Sequence, residues 1–220
     1  MPSCLIKFCG LRTPAEVALA AELGVQAIGF VFADSPRQIS VEDCRALRAA
    51  VPTPIKAYGV FLRPEPTTAR YIWNECRLDF LQIHGAEDDE DYWRTLDGLP
   101  VIRAFRSRPG ILNLIARIRG QTFLLDAFVE GETRGGTGKP CDWTLAAAAA
   151  KMGRLILAGG LTPENVGSAI AAVKPWMVDV SSGIERERGK KDPGLMRAFA
   201  AAVRAAGEQR GKNDCIARSS

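Results

Sequence analysis

Apolar and polar positions along this chain follow two rhythms that replace one another from end to end. Short apolar runs suited to buried strands occur at Leu5–Cys9, Ala27–Phe32, Ile55–Phe61, Phe80–His84, Val101–Phe105, Thr122–Asp126, Leu155–Ala158 and Met177–Ser181. Each is followed by a stretch whose apolar residues return at helical spacing, as between Ala15 and Leu23. Start signals stand where those stretches begin. Thr13-Pro14-Ala15-Glu16 is a capping box with proline at the first helical position, and Ser40-Val41-Glu42-Asp43 follows the same logic. Asp192-Pro193 opens the last helix in the same way, and Thr162-Pro163-Glu164 predicts a helix start directly after Gly159-Gly160.

Strand–helix alternation implies right-handed crossovers and a parallel sheet. Eight regular units fit a closed α/β barrel, a single (β/α)8 TIM barrel, better than a doubly wound open sheet. That barrel is expected to fill residues 1–206 as one catalytic domain. From Gly207 the chain turns polar, and residues 207–220 are expected to be a frayed, disordered tail in which Cys215 is incidental.

Composition narrows the function more than the fold. A chain of 220 residues with 47% hydrophobic and 25% charged positions supports one sizeable core in a soluble protein. The net charge of +4 suits an anionic small-molecule substrate, but no basic block or aromatic–basic stripe supports nucleic-acid binding. No apolar run reaches the roughly 18 residues of a membrane span, and the N-terminus lacks a charged and then long apolar leader. A cytoplasmic monomer or homodimer is expected. The six cysteines include no C-x-x-C pair and His84 is the single histidine, so free thiols, no metal and no cofactor are expected.

Candidate chemistry gathers at the strand ends. Gly159-Gly160 exposes backbone N–H groups before a predicted helix start, which is a ready anion site. The eighth strand ends in Ser181-Ser182-Gly183, and loops after strands seven and eight are where phosphate sites recur in this fold. A phosphorylated substrate is therefore expected.

Side chains alternate along a strand, so Leu5, Lys7 and Cys9 share one face, as do Thr122, Leu124 and Asp126. Ile6, Phe8, Phe123 and Leu125 then point at the helices, which puts Cys9 and Asp126 in the barrel mouth. An acid there is costly unless it is solvated, paired or functional, whereas a buried structural thiol is common. Lys7 lies deeper and needs a partner. Asp179 is expected to supply one in an ion pair that braces the mouth, in which case neither residue is the catalyst. Arg37, in Ser35-Pro36-Arg37 after strand two, presents a planar fork for a carboxylate or phosphate, against the bland alternative of a solvated loop arginine. The long segment Ala127–Lys139 carries Gly135, Gly136 and Gly138, which suggests a lid whose N–H groups reach phosphate.

Several motifs occur together in order: Lys7-Phe8-Cys9-Gly10, Gly29-Phe30-Val31-Phe32, Gly59-Val60-Phe61, Gln82-Ile83-His84-Gly85, Leu125-Asp126-Ala127, Gly135-Gly136-Thr137-Gly138-Lys139, Ala158-Gly159-Gly160-Leu161 and Asp179-Val180-Ser181-Ser182-Gly183. The set resembles the phosphoribosylanthranilate isomerases of tryptophan biosynthesis over nearly the whole chain, to about Ala206. The resemblance implies an Amadori rearrangement of N-(5-phosphoribosyl)anthranilate to 1-(2-carboxyphenylamino)-1-deoxyribulose 5-phosphate. It implies Asp126 as the acid that opens the ribose ring, Cys9 as the base that removes the C2 proton, and Arg37 as the anchor of the anthranilate carboxylate. The phosphate then falls to Gly136, Gly159, Gly160, Ser181, Ser182 and Gly183, and Gln82 and His84 take a supporting polar role. Phe8, Tyr58 and Cys141 depart from the usual pattern at packing or lid-hinge positions. Among rivals, ribotide isomerases are expected to carry an aspartate where Cys9 stands, and metal-dependent epimerases need inward histidines. A non-catalytic phosphosugar-binding barrel has no need of both Cys9 and Asp126.

Overall fold

The computed structural model describes residues 4–126 and 142–217, with side chains to residue 208. Eight parallel strands close into a barrel in chain order: β1 (Leu5–Cys9), β2 (Ala27–Val31), β3 (Lys56–Leu62), β4 (Phe80–His84), β5 (Val101–Arg106), β6 (Thr122–Asp126), β7 (Arg154–Leu157) and β8 (Met177–Val180). Every strand pairs with its successor, and β8 returns to β1 with Lys7 opposite Asp179. The expected strands are all present, with ends displaced by a residue or so; β3 runs on to Leu62 and β7 starts at Arg154.

The helices that cover the barrel are α1 (Pro14–Glu22), α2 (Val41–Ala49), α3 (Pro66–Glu75), α4 (Glu90–Thr95), α5 (Ile111–Ala116), α6 (Trp143–Ala150), α7 (Val166–Val173) and α8 (Pro193–Ala217). Their starts follow the local sequence. Thr13 and Glu16 close the capping box of α1, Ser40 accepts from the Asp43 N–H at 3.0 Å, and Asp192 accepts from the Leu195 N–H at 2.9 Å. The backbone of α8 continues through the polar segment that begins at Gly207, and no proline follows Pro193 to stop it.

The period-2 alternation divides the core in two. Ile6, Phe8, Phe123 and Leu125 belong to the shell between strands and helices, where Phe8 meets Phe199 of α8 edge-on at 6.2 Å. Inside the barrel a smaller cluster of Ala27, Tyr58, Ile102, Ala104, Leu124, Ile156, Ala158 and Met177 fills the lumen. Cys9 sits above it with Val31 and Val60, at the mouth. Space there is tight: a Cβ on Gly29 would lie 2.9 Å from the Cys9 Sγ and 3.2 Å from the Lys7 Nζ. Glycine at that point of β2 is what lets a thiol and an ammonium share the first strand's inner face.

After β8 the chain makes a single 3-10 turn, Ser182–Ile184, and a short hairpin of β9 (Glu185–Glu187) with β10 (Lys190–Lys191) before α8. That hairpin was not expected from the sequence. Among the described residues no helix is long and apolar enough to cross a membrane.

Candidate active site

The C-terminal ends of the strands surround an open-mouthed cavity. Of the residues singled out from the sequence, Cys9, Arg37, Gln82, His84, Asp126, Gly159, Gly160, Asp179, Ser181 and Ser182 all line it. Lys7 lies beneath the lining, and Gly183 lies against the Leu161 backbone. Gly136, the expected lid and Cys141 lie outside the described residues.

At the base of the site the Lys7 Nζ donates to the Asp179 Oδ2 at 2.9 Å, so the expected ion pair is present. Both groups are buried, and such a pair stabilises only when its geometry and its remaining hydrogen bonds repay desolvation. Burial works against the Lys7 charge, but Asp179, helped by Cys9 and Tyr58, outweighs it and holds the ammonium above its usual range. The second oxygen, Asp179 Oδ1, has no partner among the described residues, and neither has Gln82 Oε1. Two buried acceptors beside one cavity suit a ligand that brings hydroxyl or amine donors.

Cys9 is 7% exposed. Burial pushes its thiol up, against the opposing pull of Lys7, with Lys191 and Arg37 acting in the same direction as Lys7. Asp126 closes β6 on the inward parity and is also buried. On β4, Gln82 Nε2 and His84 Nε2 lie 2.9 Å apart. Burial, then Lys7 and Arg106, push His84 down to about 3. Its ring is therefore neutral near pH 7, and Nε2 accepts from the Gln82 amide.

Arg37 is not a solvated loop residue. It is 6% exposed and its stem lies over Gly10, where a Cβ would come within 2.8 Å of the Arg37 Cδ. Its fork is already engaged by a residue the sequence reading missed. Nε donates to Glu185 Oε1 at 2.7 Å and Nη2 to Oε2 at 2.8 Å. Lys191, also missed, donates to Glu185 Oε1 at 2.8 Å, to the Ser181 carbonyl at 2.9 Å and to the Ser181 hydroxyl at 3.3 Å. Burial alone would raise Glu185, but Arg37 and Lys191 bring it down to about 2. Glu185 and Lys191 stand in the run Glu185-Arg186-Glu187-Arg188-Gly189-Lys190-Lys191, which reads as an exposed charged loop. In the hairpin Glu185 stands opposite Lys191 while Arg186, Glu187, Arg188 and Lys190 are exposed, and because Glu187 shares the strand parity of Glu185, no local pattern in the run marks the two residues that turn inward.

The anion end differs from expectation in two respects. Thr162 does not cap a helix starting at Pro163; α7 begins at Val166. The reason is Asn165, whose Oδ1 accepts from the Thr162 N–H and whose Nδ2 donates to the Gly160 carbonyl, both at 2.8 Å. This amide folds residues 160–165 into a closed turn ahead of the helix. Gly159 and Gly160 adopt φ of +90° and +64°, conformations that L side chains rarely take, and so present their backbone to the cavity. Ser181, for its part, does not offer a free hydroxyl proton, because its Oγ donates to the Cys9 carbonyl at 3.1 Å. Ser182 lies at the start of the 3-10 turn, which packs directly on the turn after β7 through Gly183.

Comparison with known proteins identifies the fold and the family. A family model described as "PRAI: N-(5'phosphoribosyl)anthranilate (PRA) isomerase" matches residues 6–202. An N-(5'-phosphoribosyl)anthranilate isomerase of Syntrophomonas wolfei is 42% identical over 195 residues, covering 88% of this chain and 94% of the relative. The phosphoribosyl anthranilate isomerase of Thermotoga maritima superposes with a TM-score of 0.82 at 33% identity, over 92% of this chain and 99% of that one. A further structure describes that isomerase as dimeric. A phosphoribosyl anthranilate isomerase solved with reduced 1-(o-carboxyphenylamino)-1-deoxyribulose 5-phosphate matches with a TM-score of 0.80 at 33% identity, with the same coverage. With the family model spanning most of the chain and relatives matched nearly end to end, this chain belongs to the N-(5'-phosphoribosyl)anthranilate isomerase family.

Proposed function

We propose that Cys9 and Asp126 are the base and the acid of the isomerisation of N-(5-phosphoribosyl)anthranilate, the tryptophan-biosynthetic reaction that this chain catalyses. The observation that carries the assignment is their shared cavity. Among the described residues Cys9 is the thiol that lines it, and an inward carboxyl three strands away round one side lines it too, together with Gly159, Gly160 and Arg37.

Asp126, protonated, gives its proton to the ring oxygen as the C1–O bond breaks, and the anilino nitrogen pair forms the C1=N iminium. Cys9, as thiolate, removes the C2 proton, and the C–H electron pair moves to neutralise the nitrogen. The enol so formed gains a proton at C1 and loses the C2 hydroxyl proton, leaving the 2-ketose. Burial disfavours the thiolate, so the cations Lys7, Lys191 and Arg37 and the iminium of the opened substrate supply the opposing field. Gly159, Gly160, Ser182 and Gly183 hold the 5-phosphate through backbone N–H groups and one hydroxyl, and Arg37 holds the ring carboxylate. Ser181 serves the cradle indirectly by fixing the end of β1. Holding both ends of the substrate fixes C2 against Cys9, which is catalysis by positioning. The protein acts on this small phosphorylated substrate in the cytoplasm as a monomer or homodimer.

The test is turnover of enzymatically generated phosphoribosylanthranilate, followed by loss of its fluorescence without added metal. Cys9→Ala and Asp126→Ala are each expected to lower kcat by about 10²–10⁴-fold. Near-wild-type turnover in either variant would remove that residue from its role.

A further inference from the structure

We propose that Glu185 is a positioning residue for the carboxylate anchor: it holds one edge of Arg37 so that the other edge is left for the substrate's ring carboxylate, with Lys191 locking Glu185 in place. The proposal rests on the reading of Arg37 as that anchor and goes beyond it by naming what aims the guanidinium.

Four observations support it. The Nε/Nη2 edge of Arg37 is saturated by both oxygens of Glu185, at 2.7 and 2.8 Å. Nη1 is then the one guanidinium nitrogen with no hydrogen bond among the described residues, on a side chain that lines the cavity. A side-on carboxylate partner and an end-on one can share a guanidinium, because its five N–H donors lie in one rigid plane.

Lys191 has no donor left for a ligand. Its ammonium has three protons, and three acceptors surround it: Glu185 Oε1, the Ser181 carbonyl and the Ser181 hydroxyl. The Gly189 N–H donates to Glu185 Oε2 at 3.1 Å and completes the carboxylate's surroundings. Glu185 cannot swing away without breaking four bonds.

The cluster is also one positive charge in excess. Arg37 and Lys191 are paired with the single carboxylate of Glu185, and the side chains of all three are no more than 7% exposed. The neighbouring Lys7–Asp179 pair is balanced, and neither Asp34 nor Asp126, which also line the cavity, is ion-paired with Arg37 or Lys191 in the contacts above. A ligand carboxylate at Arg37 would neutralise it in a site where an unpaired charge is expensive.

Backbone packing fixes the geometry. A Cβ on Gly189, in the hairpin turn, would lie 2.6 Å from the Pro36 carbonyl, the residue before Arg37. The hairpin that carries Glu185 and the loop that carries Arg37 are thus in direct contact, and Arg12 Nη1 donates to the same Pro36 carbonyl at 2.9 Å.

The experiment titrates wild type and Glu185→Gln with two ligands by calorimetry: reduced 1-(o-carboxyphenylamino)-1-deoxyribulose 5-phosphate, and the same compound without the ring carboxylate. Wild type should prefer the carboxylate-bearing ligand. Glu185→Gln should lose roughly tenfold or more of its affinity for that ligand while binding the other unchanged. In an Arg37→Gln background the Glu185→Gln change should make no further difference to the preference. Both ligands enter the same preparation, so partial unfolding lowers the stoichiometry and not the preference. Glu185→Asp, which keeps the charge, serves as the second variant and should fall between the two. Equal weakening of both ligands would mean a merely structural role and would overturn the proposal, as would an unchanged preference. A wild type that binds both ligands alike overturns the Arg37 reading and this proposal with it, whereas a wild type that binds neither refutes the functional assignment itself.

Discussion

Gly183 is where the phosphate cradle can be tested with a single methyl group. A Cβ on this residue would lie 1.8 Å from the Leu161 carbonyl oxygen and 2.9 Å from its carbon, whereas ordinary contact begins at 3.4 Å. The shortfall at the oxygen, 3.4 less 1.8, is about 1.6 Å. Neither neighbour is a side chain that can rotate away, so the turn after β8 must retreat from the turn after β7 by a distance of that order. Gly183 is not among the glycines with positive φ, so alanine meets an obstacle of space and not of torsion. Overpacking of this kind costs ~1–3 kcal/mol, which a domain stable by ~5–15 kcal/mol survives. Function is more sensitive: a misplacement of about 1 Å can cost 10²-fold in rate. Gly183→Ala is therefore expected to remain folded, to lose on the order of 10²-fold in kcat/KM, and to lose inhibition by inorganic phosphate in parallel. Fluorescence turnover, phosphate inhibition and the urea midpoint are the measurements. Gly167→Ala is the control, because a Cβ there meets nothing within 4 Å and the residue lies in α7; alanine should leave turnover intact and stabilise by ~0.5–1 kcal/mol. If Gly183→Ala kept wild-type kcat/KM and phosphate inhibition, the two turns would not act as one cradle.

Two further perturbations address what holds the mouth together. Lys7→Met leaves Asp179 as a buried charge without its cation and should cost ~3–5 kcal/mol in urea unfolding, part of which Lys7→Met/Asp179→Leu should recover; a loss under ~1 kcal/mol would show that the pair is not bracing the barrel. His84 is held down to about 3 from an unfolded value of 6.5, so between those values the unfolded chain binds the extra proton and stability falls as pH falls. At ~1.4 kcal/mol per pH unit, moving from pH 7 to pH 5 should remove about 2 kcal/mol through this residue, and His84→Asn should show a pH slope shallower by that amount in paired urea titrations. Identical slopes for the two proteins would mean that His84 titrates normally.

What the sequence disclosed and what it withheld divide along a physical line. Strand parity is a property of the extended backbone, so Lys7, Cys9, Asp126 and Asp179 could be placed on the inner face, and the Lys7–Asp179 pair followed once the barrel was taken to close. Local caps such as Thr13 and Ser40 were legible for the same reason, since each involves atoms within three residues. Thr162 misled because a competing side chain, Asn165, satisfies the turn from both ends and delays the helix to Val166. Nothing in the threonine itself reveals that competitor.

Glu185 and Lys191 were hidden by something longer in range. Closure sets β8 beside β1 and β1 beside β2, so the loops after β2 and β8 flank the end of β1 from opposite sides. A cation on one loop and an anion on the other can then meet across the space above Cys9, as Arg37 and Glu185 do. A charged run that looks solvated when read along the chain becomes interior once the two neighbours of the first strand are identified. The same topology explains why the surplus positive charge gathers there. The strands β8, β1 and β2 and the segments that follow them deliver Lys191, Lys7 and Arg37 around one thiol; the carboxylates ion-paired with these cations are Asp179 and Glu185, and Asp34 also lines the cavity. The remaining positive charge is available to stabilise either a thiolate at Cys9 or a carboxylate at Arg37. Binding the substrate's carboxylate therefore works against the thiolate that the reaction needs. The iminium of the opened substrate restores the positive field only after the ring has opened, which orders the steps: Asp126 must act before Cys9 is competent as a base.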